Sequence, residues 1–388
     1  MKAVCLTPLL LVALYALVNS SGPGKPAAGK ASLFASSESC GSCHQDIYRE
    51  WSNSLHAASN SDPVFRGVFN RTPESGRRFC VGCHAPMVVA EGSPDSKFPA
   101  SLDGITCDYC HSVKSVQPGK PHPYELVFDK VKRGPFESAD TAGHPSVLSD
   151  VHTKAEFCAG CHEAVNAHGL AVLDTYEEWK AGPYPGDGVQ CQNCHMPADF
   201  NSSVVTTAGY KSDHVVTAHR FLGGHSQINI TSAAKMSMLL DSQGNNVTAV
   251  VYVTNAESGH RLPTGIPARR VVLEVRVLNA KGKVLDSQKV EYRRVLQDAA
   301  GNAIAPDKIE DMFSKAVAVM SDNRISPKET RREEFSFTVS DGADDRVVVE
   351  SSLYYLFQVP FLMPNEMKMP MARDIQTVRL HRTPPAPK

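Results

Sequence analysis

The arrangement of its cysteines constrains this chain more than any other feature. Ten of the eleven fall into five short patterns of one form: Cys40-Gly-Ser-Cys43-His44, Cys80-Val-Gly-Cys83-His84, Cys107-Asp-Tyr-Cys110-His111, Cys158-Ala-Gly-Cys161-His162 and Cys191-Gln-Asn-Cys194-His195. The eleventh, Cys5, lies in an apolar stretch at the amino terminus. Half a zinc site or a redox disulfide uses Cys-x-x-Cys, but neither needs a histidine directly after every second cysteine. A disulfide scaffold predicts varied spacings and a far shorter chain. Two thiols three positions apart suit thioether bonds to the two vinyl groups of one porphyrin, and the histidine that follows reaches the iron from one face. Five such patterns predict five covalently bound c-type haems. Their attachment residues are Cys40, Cys43, Cys80, Cys83, Cys107, Cys110, Cys158, Cys161, Cys191 and Cys194. Their proximal iron ligands are His44, His84, His111, His162 and His195.

Residues 1–20 have the pattern of a secretory signal: Lys2, an apolar run from Cys5 to Val18, then the small polar stretch Asn19-Ser-Ser-Gly22. The run is short for a spanning helix, and the position of Cys5 so near the start argues against a lipid anchor there. Haem attachment of this kind takes place outside the cytoplasm, so the leader and the motifs agree on an exported protein. The periplasm is the expected compartment, with the cell surface as the alternative. Residues 21–37, rich in Gly, Pro, Ala and Ser, suit a flexible tether. No later stretch is apolar enough to span a bilayer. A net charge of −1 gives no sign of a nucleic-acid or anionic-membrane partner.

The remainder divides near residue 230. Residues 38–228 hold every motif. Successive motifs start 40, 27, 51 and 33 residues apart, so there is no fixed-period repeat. Tyr48-Arg-Glu-Trp51 and Tyr176-Glu-Glu-Trp179 echo each other beside haem motifs and are read as packing against porphyrin edges. Between motifs the chain is rich in Pro and Gly, so porphyrin surface must supply much of the apolar core. Residues 229–388 change pattern. Val247, Ala249, Val251 and Val253 alternate with other residues, as do Val271, Leu273, Val275 and Val277. Phe335, Phe337 and Val339 repeat the theme, followed by Val347, Val349, Leu353, Tyr355 and Phe357 with Ser351 interposed. Such period-two runs predict half-buried strands. Turn signals stand at Ala280-Lys-Gly282 and Asp298-Ala-Ala-Gly301. The expected fold class is α+β: a mostly helical, loop-rich multihaem domain, then an antiparallel immunoglobulin-like sandwich.

Ten histidines remain for the opposite faces of the irons: His56, His122, His144, His152, His168, His214, His219, His225, His260 and His381. If residues 41–57 form one helix, His44 and His56 stand roughly 18 Å apart along its axis. They could not then share one iron, and His56 would cap a neighbouring haem. Met87 and Met196 lie too close behind their motifs to reach the far face and are read as packing. Met363, Met367, Met369 and Met371 are read as gap-fillers. Asn70, Asn201, Asn229 and Asn246 begin glycosylation-like triplets, a pattern common by chance.

The stretch from Cys40 to His56, including Tyr48-Arg-Glu-Trp51, resembles the opening of the cytochrome c-554-type multihaem family. So do Phe79-Cys80 to Pro86, Gly104-Ile-Thr-Cys107 to His111, Thr175 to Trp179, Cys191 to Pro197, and His219-Arg-Phe-Leu-Gly-Gly224. Together these cover most of residues 38–228. The resemblance implies closely stacked porphyrin pairs and distal histidines at His56, His144 and His219, with His225, His152 and His122 following. It also implies one open haem, by position that of Cys80–His84. Asn255-Ala-Glu-Ser-Gly-His260-Arg-Leu-Pro-Thr-Gly265 resembles a segment of β domains appended to related multihaem proteins. His260 there is either a ligand reaching across the domain boundary or an ordinary residue of a strand-end turn. No motif ends in lysine and there are five motifs rather than eight, so neither pentahaem nitrite reductase nor hydroxylamine oxidoreductase identity is supported.

Three functions follow as expectations. The first is an electron carrier on mainly bis-histidine haems, serving redox partner proteins or a membrane electron-transfer complex. The second is a reductase acting on a small nitrogen or sulfur oxide at one five-coordinate haem. The third is a homo-oligomeric, haem-stacked conductive filament.

Overall fold

The computed structural model describes residues 33–92, 103–119, 123–136, 143–206, 215–340, 345–357 and 367–381. The signal segment, most of the tether, His122, His214 and Met363 lie outside the described residues.

Alternation of apolar and polar residues builds the carboxy-terminal sandwich. Its strands are β1 (Ala234–Gln243), β2 (Asn246–Asn255), β3 (Arg269–Leu278), β4 (Val284–Tyr292), β5 (Thr330–Thr338), β6 (Arg346–Phe357) and β7 (Met367–Arg379). One sheet runs β5-β2-β1 and the other β4-β3-β6-β7, and every pairing is antiparallel. Consecutive strands change sheet at β2–β3, β4–β5 and β5–β6, the Greek-key habit of immunoglobulin-type sandwiches. The inward positions are the ones the alternation marks: Val247, Ala249, Val251 and Val253 meet Val271, Leu273, Val275, Val277, Val347 and Val349, all fully buried. Ser351 shares that buried face. Met371 enters the core and Met369 packs against it. Gly282 and Gly301, at φ +78° and +83°, make the turns where the sequence signals them.

Residues 34–233 are built differently. The helices are short, from Ser37–Gly41 and Gln45–Ser52 to Pro63–Arg71, Glu74–His84, Glu156–His162 and Thr175–Lys180. Two- to four-residue strand pairs link them. The expected single helix over 41–57 does not form. It breaks at His44, which caps the helix Gln45–Ser52 from outside it, and the chain then turns through residues 53–61. The break coincides with a contact distant in sequence: the His44 ring lies 2.5 Å from the Val204 carbonyl.

The two halves meet along a defined seam. Between β4 and β5 the chain makes an excursion, a hairpin of Arg294–Gln297 with Ala318–Asp322 that carries the helix Ile309–Ser314. This excursion packs Leu296, Ile304, Ile309 and Met312 against Val68 and Val172. Arg71 makes a two-pronged ion pair with Glu310 at 2.8 and 2.9 Å, and Asn166 donates to the Ala316 carbonyl at 2.8 Å.

Candidate haem centres

Four motifs end a short helix: Glu74–His84, Cys107–His111, Glu156–His162 and Cys191–His195. One helical turn sets the paired cysteines on one face and the histidine beside them. Four of the five motif histidines are then oriented through Nδ1. His44 bonds the Val204 carbonyl at 2.5 Å, His84 that of Ser59 at 2.8 Å, His111 that of Arg133 at 2.6 Å and His195 that of Leu222 at 2.6 Å. An imidazole that donates Nδ1–H to a carbonyl presents the Nε2 lone pair to a metal. Burial pushes His162 down to about 4 and lowers His84 and His111, so these rings stay neutral as ligation requires.

Second histidines stand across from motif histidines. His144 faces His44 with ring centres 6.0 Å apart, His56 faces His162 at 6.2 Å and His260 faces His195 at 6.4 Å. Metal–imidazole bonds of about 2 Å on opposite sides of one ion put ring centres about 6 Å apart. Burial takes His56 to about 3 and His260 to about 4, so both are neutral. His152 lies 5.9 Å from His111, but both its nitrogens are engaged, with Ser149 Oγ and the Cys110 carbonyl, each at 3.0 Å. His219 differs. Its Nδ1 bonds the Thr217 carbonyl at 2.7 Å, and burial, then the proximity of His111, takes it to about 4.

His84 meets no second histidine ring among the described residues. Phe65 stacks flat on its imidazole at 3.8 Å, a contact with the ring face rather than along the axis to a metal. His225 is exposed and makes no hydrogen bond or ring contact among the described residues. His168 bonds the Ser314 carbonyl at 3.2 Å. The Met87 sulfur accepts from Thr106 at 3.0 Å, which gives it a packing role.

The five motif histidines and His56, His144, His152, His219, His225 and His260 line one cavity of about 2620 Å³. Ordinary ligand clefts hold about 300–1,000 Å³, so this one has room for several porphyrins. None of its ten motif cysteines is in a disulfide, and three pairs approach across motifs: Cys40 with Cys107, Cys83 with Cys161 and Cys158 with Cys191. Among the described residues no three His, Cys, Asp or Glu side chains converge as a zinc or cluster site would need. Apolar walls, paired thiols and neutral imidazoles facing each other fit covalent haem.

Two buried tryptophans brace the motifs in a way the sequence hinted at without disclosing. Trp51 donates to the Ile105 carbonyl at 2.8 Å and Trp179 to that of Val189 at 3.0 Å. Each acceptor lies two residues before the first cysteine of a motif, Cys107 and Cys191. Each tyrosine partner, Tyr48 and Tyr176, tilts against its tryptophan at 5.7 and 5.6 Å. The echoed Tyr-x-x-Trp therefore pins a motif as well as walling the cavity.

The His260 loop is held by a polar cluster that sequence reasoning missed. Glu178, next to Trp179, accepts from Thr264 Oγ1 at 2.6 Å and from the Arg261 backbone at 3.1 Å, and it pairs with the buried Arg324. Arg324 also bonds Asp322 at 2.7 Å, and Arg294 reaches Asp174 at 2.9 Å. Asn255 donates to the His260 carbonyl at 2.9 Å. These partners are scattered through both halves, and no spacing announces them.

The motifs, the cavity and the facing imidazoles are those expected of a multihaem c-type cytochrome, and c-type cytochromes are among the known proteins that this chain resembles. Residues 39–112 match the family model for cytochrome c554 and c-prime. The fold is shared with a penta-heme cytochrome c552 from Thermochromatium tepidum at TM-score 0.72 and 23% identity, over 89% of this chain and 99% of that one. A putative beta-galactosidase from Bacteroides fragilis and the C-terminal domain of wzt also match. They score 0.20 and 0.21, at 11% and 14% identity, over 37% and 39% of this chain and 16% and 75% of theirs, too low to define a common fold. No curated protein matches the chain. Among the described residues no helix is long and apolar enough to cross a membrane.

Proposed function

We propose that this multihaem cytochrome is an exported electron carrier with five covalent haems, four of them bis-histidine. The facing rings at 6.0–6.4 Å carry this reading. His144 serves opposite His44, His56 opposite His162, and His260 opposite His195. Opposite His111 the ligand is His219, because His152 has no free nitrogen. Haem iron with two imidazole ligands cycles between ferric and ferrous states without binding substrate. The chain's part is to hold the rings neutral and oriented, through carbonyls on Nδ1 and through burial. The periplasm is the compartment that suits the chemistry of attachment.

A second reading rests on His84, which among the described residues faces Phe65 and no histidine ring. An iron there keeps an open position where a small nitrogen or sulfur oxide could bind and be reduced. One spectrum tests both. The holoprotein is expected to be low-spin in about four haems of five, with one high-spin haem that binds carbon monoxide after reduction. His260→Ala should raise the high-spin count to two. A wholly low-spin spectrum unchanged by carbon monoxide removes the second reading, and a high-spin majority removes the first.

A further inference from the structure

Three basic side chains line the cavity: Lys132, Arg133 and Arg269. Lys132 is bridged to Asp108 at 2.5 Å and Arg133 to Asp129 at 2.9 Å. Arg269, the first residue of β3, has no carboxylate partner among the described residues. Its one hydrogen bond is a long contact of 3.4 Å to the Thr264 carbonyl. A half-buried guanidinium facing an apolar cavity is costly without an anion. Elsewhere along this seam Arg294, Arg324 and Arg71 all have one.

The surroundings of Arg269 are shaped for a ligand. Two glycines give it room: a Cβ at Gly265 would stand 3.0 Å from its Nη1, and one at Gly224 would stand 3.6 Å away. The Tyr355 hydroxyl, with no hydrogen-bond partner among the described residues, would lie 3.0 Å from that same Gly224 Cβ. A guanidinium and a phenol thus converge on one point. That point has a definite address. Gly224 is two residues from Leu222, whose carbonyl orients His195. Gly265 and Thr264 belong to the loop that delivers His260. Arg269 therefore sits between the two segments that hold the imidazoles of a single haem.

We infer that Arg269, assisted by Tyr355, binds a propionate carboxylate of the haem attached at Cys191 and Cys194. The inference rests on the assignment of that haem in the proposed function. A planar guanidinium matches a carboxylate in two-pronged fashion and remains charged when desolvated. The sandwich thus supplies this haem with both an axial ligand and a counter-charge. A positive charge held there favours the reduced, more negative state of the haem.

The test is potentiometric titration of the holoprotein, followed by visible and electron paramagnetic resonance spectra. Arg269→Gln should lower the midpoint of one haem of the five. At the potential where the wild-type haem is half reduced, its reduced-to-oxidised ratio should fall about tenfold. Arg269→Lys should recover most of the shift, and Tyr355→Phe should give a smaller fall in the same haem. Unchanged midpoints in Arg269→Gln, or a Lys variant as low as the Gln variant, overturn the inference. If Arg269→Gln does not assemble with its haems, Tyr355→Phe decides, an unchanged midpoint overturning it. Wild-type midpoints that move with added acetate place a free anion at Arg269 and also overturn it. Mass spectrometry of the Cys191–Cys194 peptide separates the two failures: absence of haem there sinks the assignment itself, whereas haem present with unmoved potentials sinks only the role of Arg269.

Discussion

The sandwich beyond residue 234 fills its own interior, with Val247, Val251, Leu273, Val277 and Val349 meeting across two sheets. Residues 34–233 do not. Their buried apolar clusters are small, Phe69, Val81, Ala85 and Val88 in one place and Ala155, Ala159, Tyr176 and Trp179 in another, around a cavity larger than either. A chain can therefore hold one half by side-chain packing and the other by surface its cofactors bring. The two halves should respond differently to the same insult.

Withholding haem gives the largest expected difference. Haem-free protein should lose the helical order of the amino-terminal half and keep the sandwich. Limited proteolysis is expected to leave a resistant fragment beginning near residue 230, and complete digestion of both halves would break the comparison. The seam between them should answer to pH. Burial pushes Glu178 up to about 8 in spite of the Arg324 beside it. Between the ordinary carboxylate value of about 4.3 and about 8, the folded chain keeps a proton that the unfolded chain has released. This group's contribution to stability is therefore present at low pH and declines as pH rises through that window, by up to about tenfold in the unfolding equilibrium per pH unit. Chemical denaturation of wild type and Glu178→Gln at several pH values checks this, since only the wild type should show the added slope. The smallest effect is expected at the tryptophan braces. Trp51→Phe and Trp179→Phe each remove one buried hydrogen bond, at about 1 kcal/mol. The loss should register in haem-region unfolding and leave the sandwich transition in place.

The sequence exposed the two halves unequally, for physical reasons. Strands β2, β3, β5 and β6 could be read because each has one buried face, so burial writes itself as alternation. Strand β4 could not, because most of Val284–Tyr292 is solvated on both faces and no period survives. The motif cysteines and histidines stand out in the sequence because covalent attachment of haem would fix their spacing. What faces each iron was less so. The approach of His144 to His44 depends on folds of the intervening chain, and His152 looks as eligible as His219 until its nitrogens are traced. The predicted helix over 41–57 breaks at His44, where the ring meets Val204, a contact far away in sequence. Arg269 and the Glu178–Arg324 cluster carry no motif; only placement reveals them.

The carbonyls that orient the motif histidines also set an order of assembly. For His84 the acceptor, Ser59, precedes it by 25 residues, so this site can be completed as soon as its own helix has formed. His111 and His195 wait for acceptors 22 and 27 residues further on. His44, the first to be made, depends on Val204, 160 residues later. A chain produced from its amino terminus thus has the acceptor for its second centre first, and that for its first centre only after the third and before the fifth. Until Val204 arrives, the His44 ring lacks its carbonyl partner, and the earliest motif has the longest wait of the four.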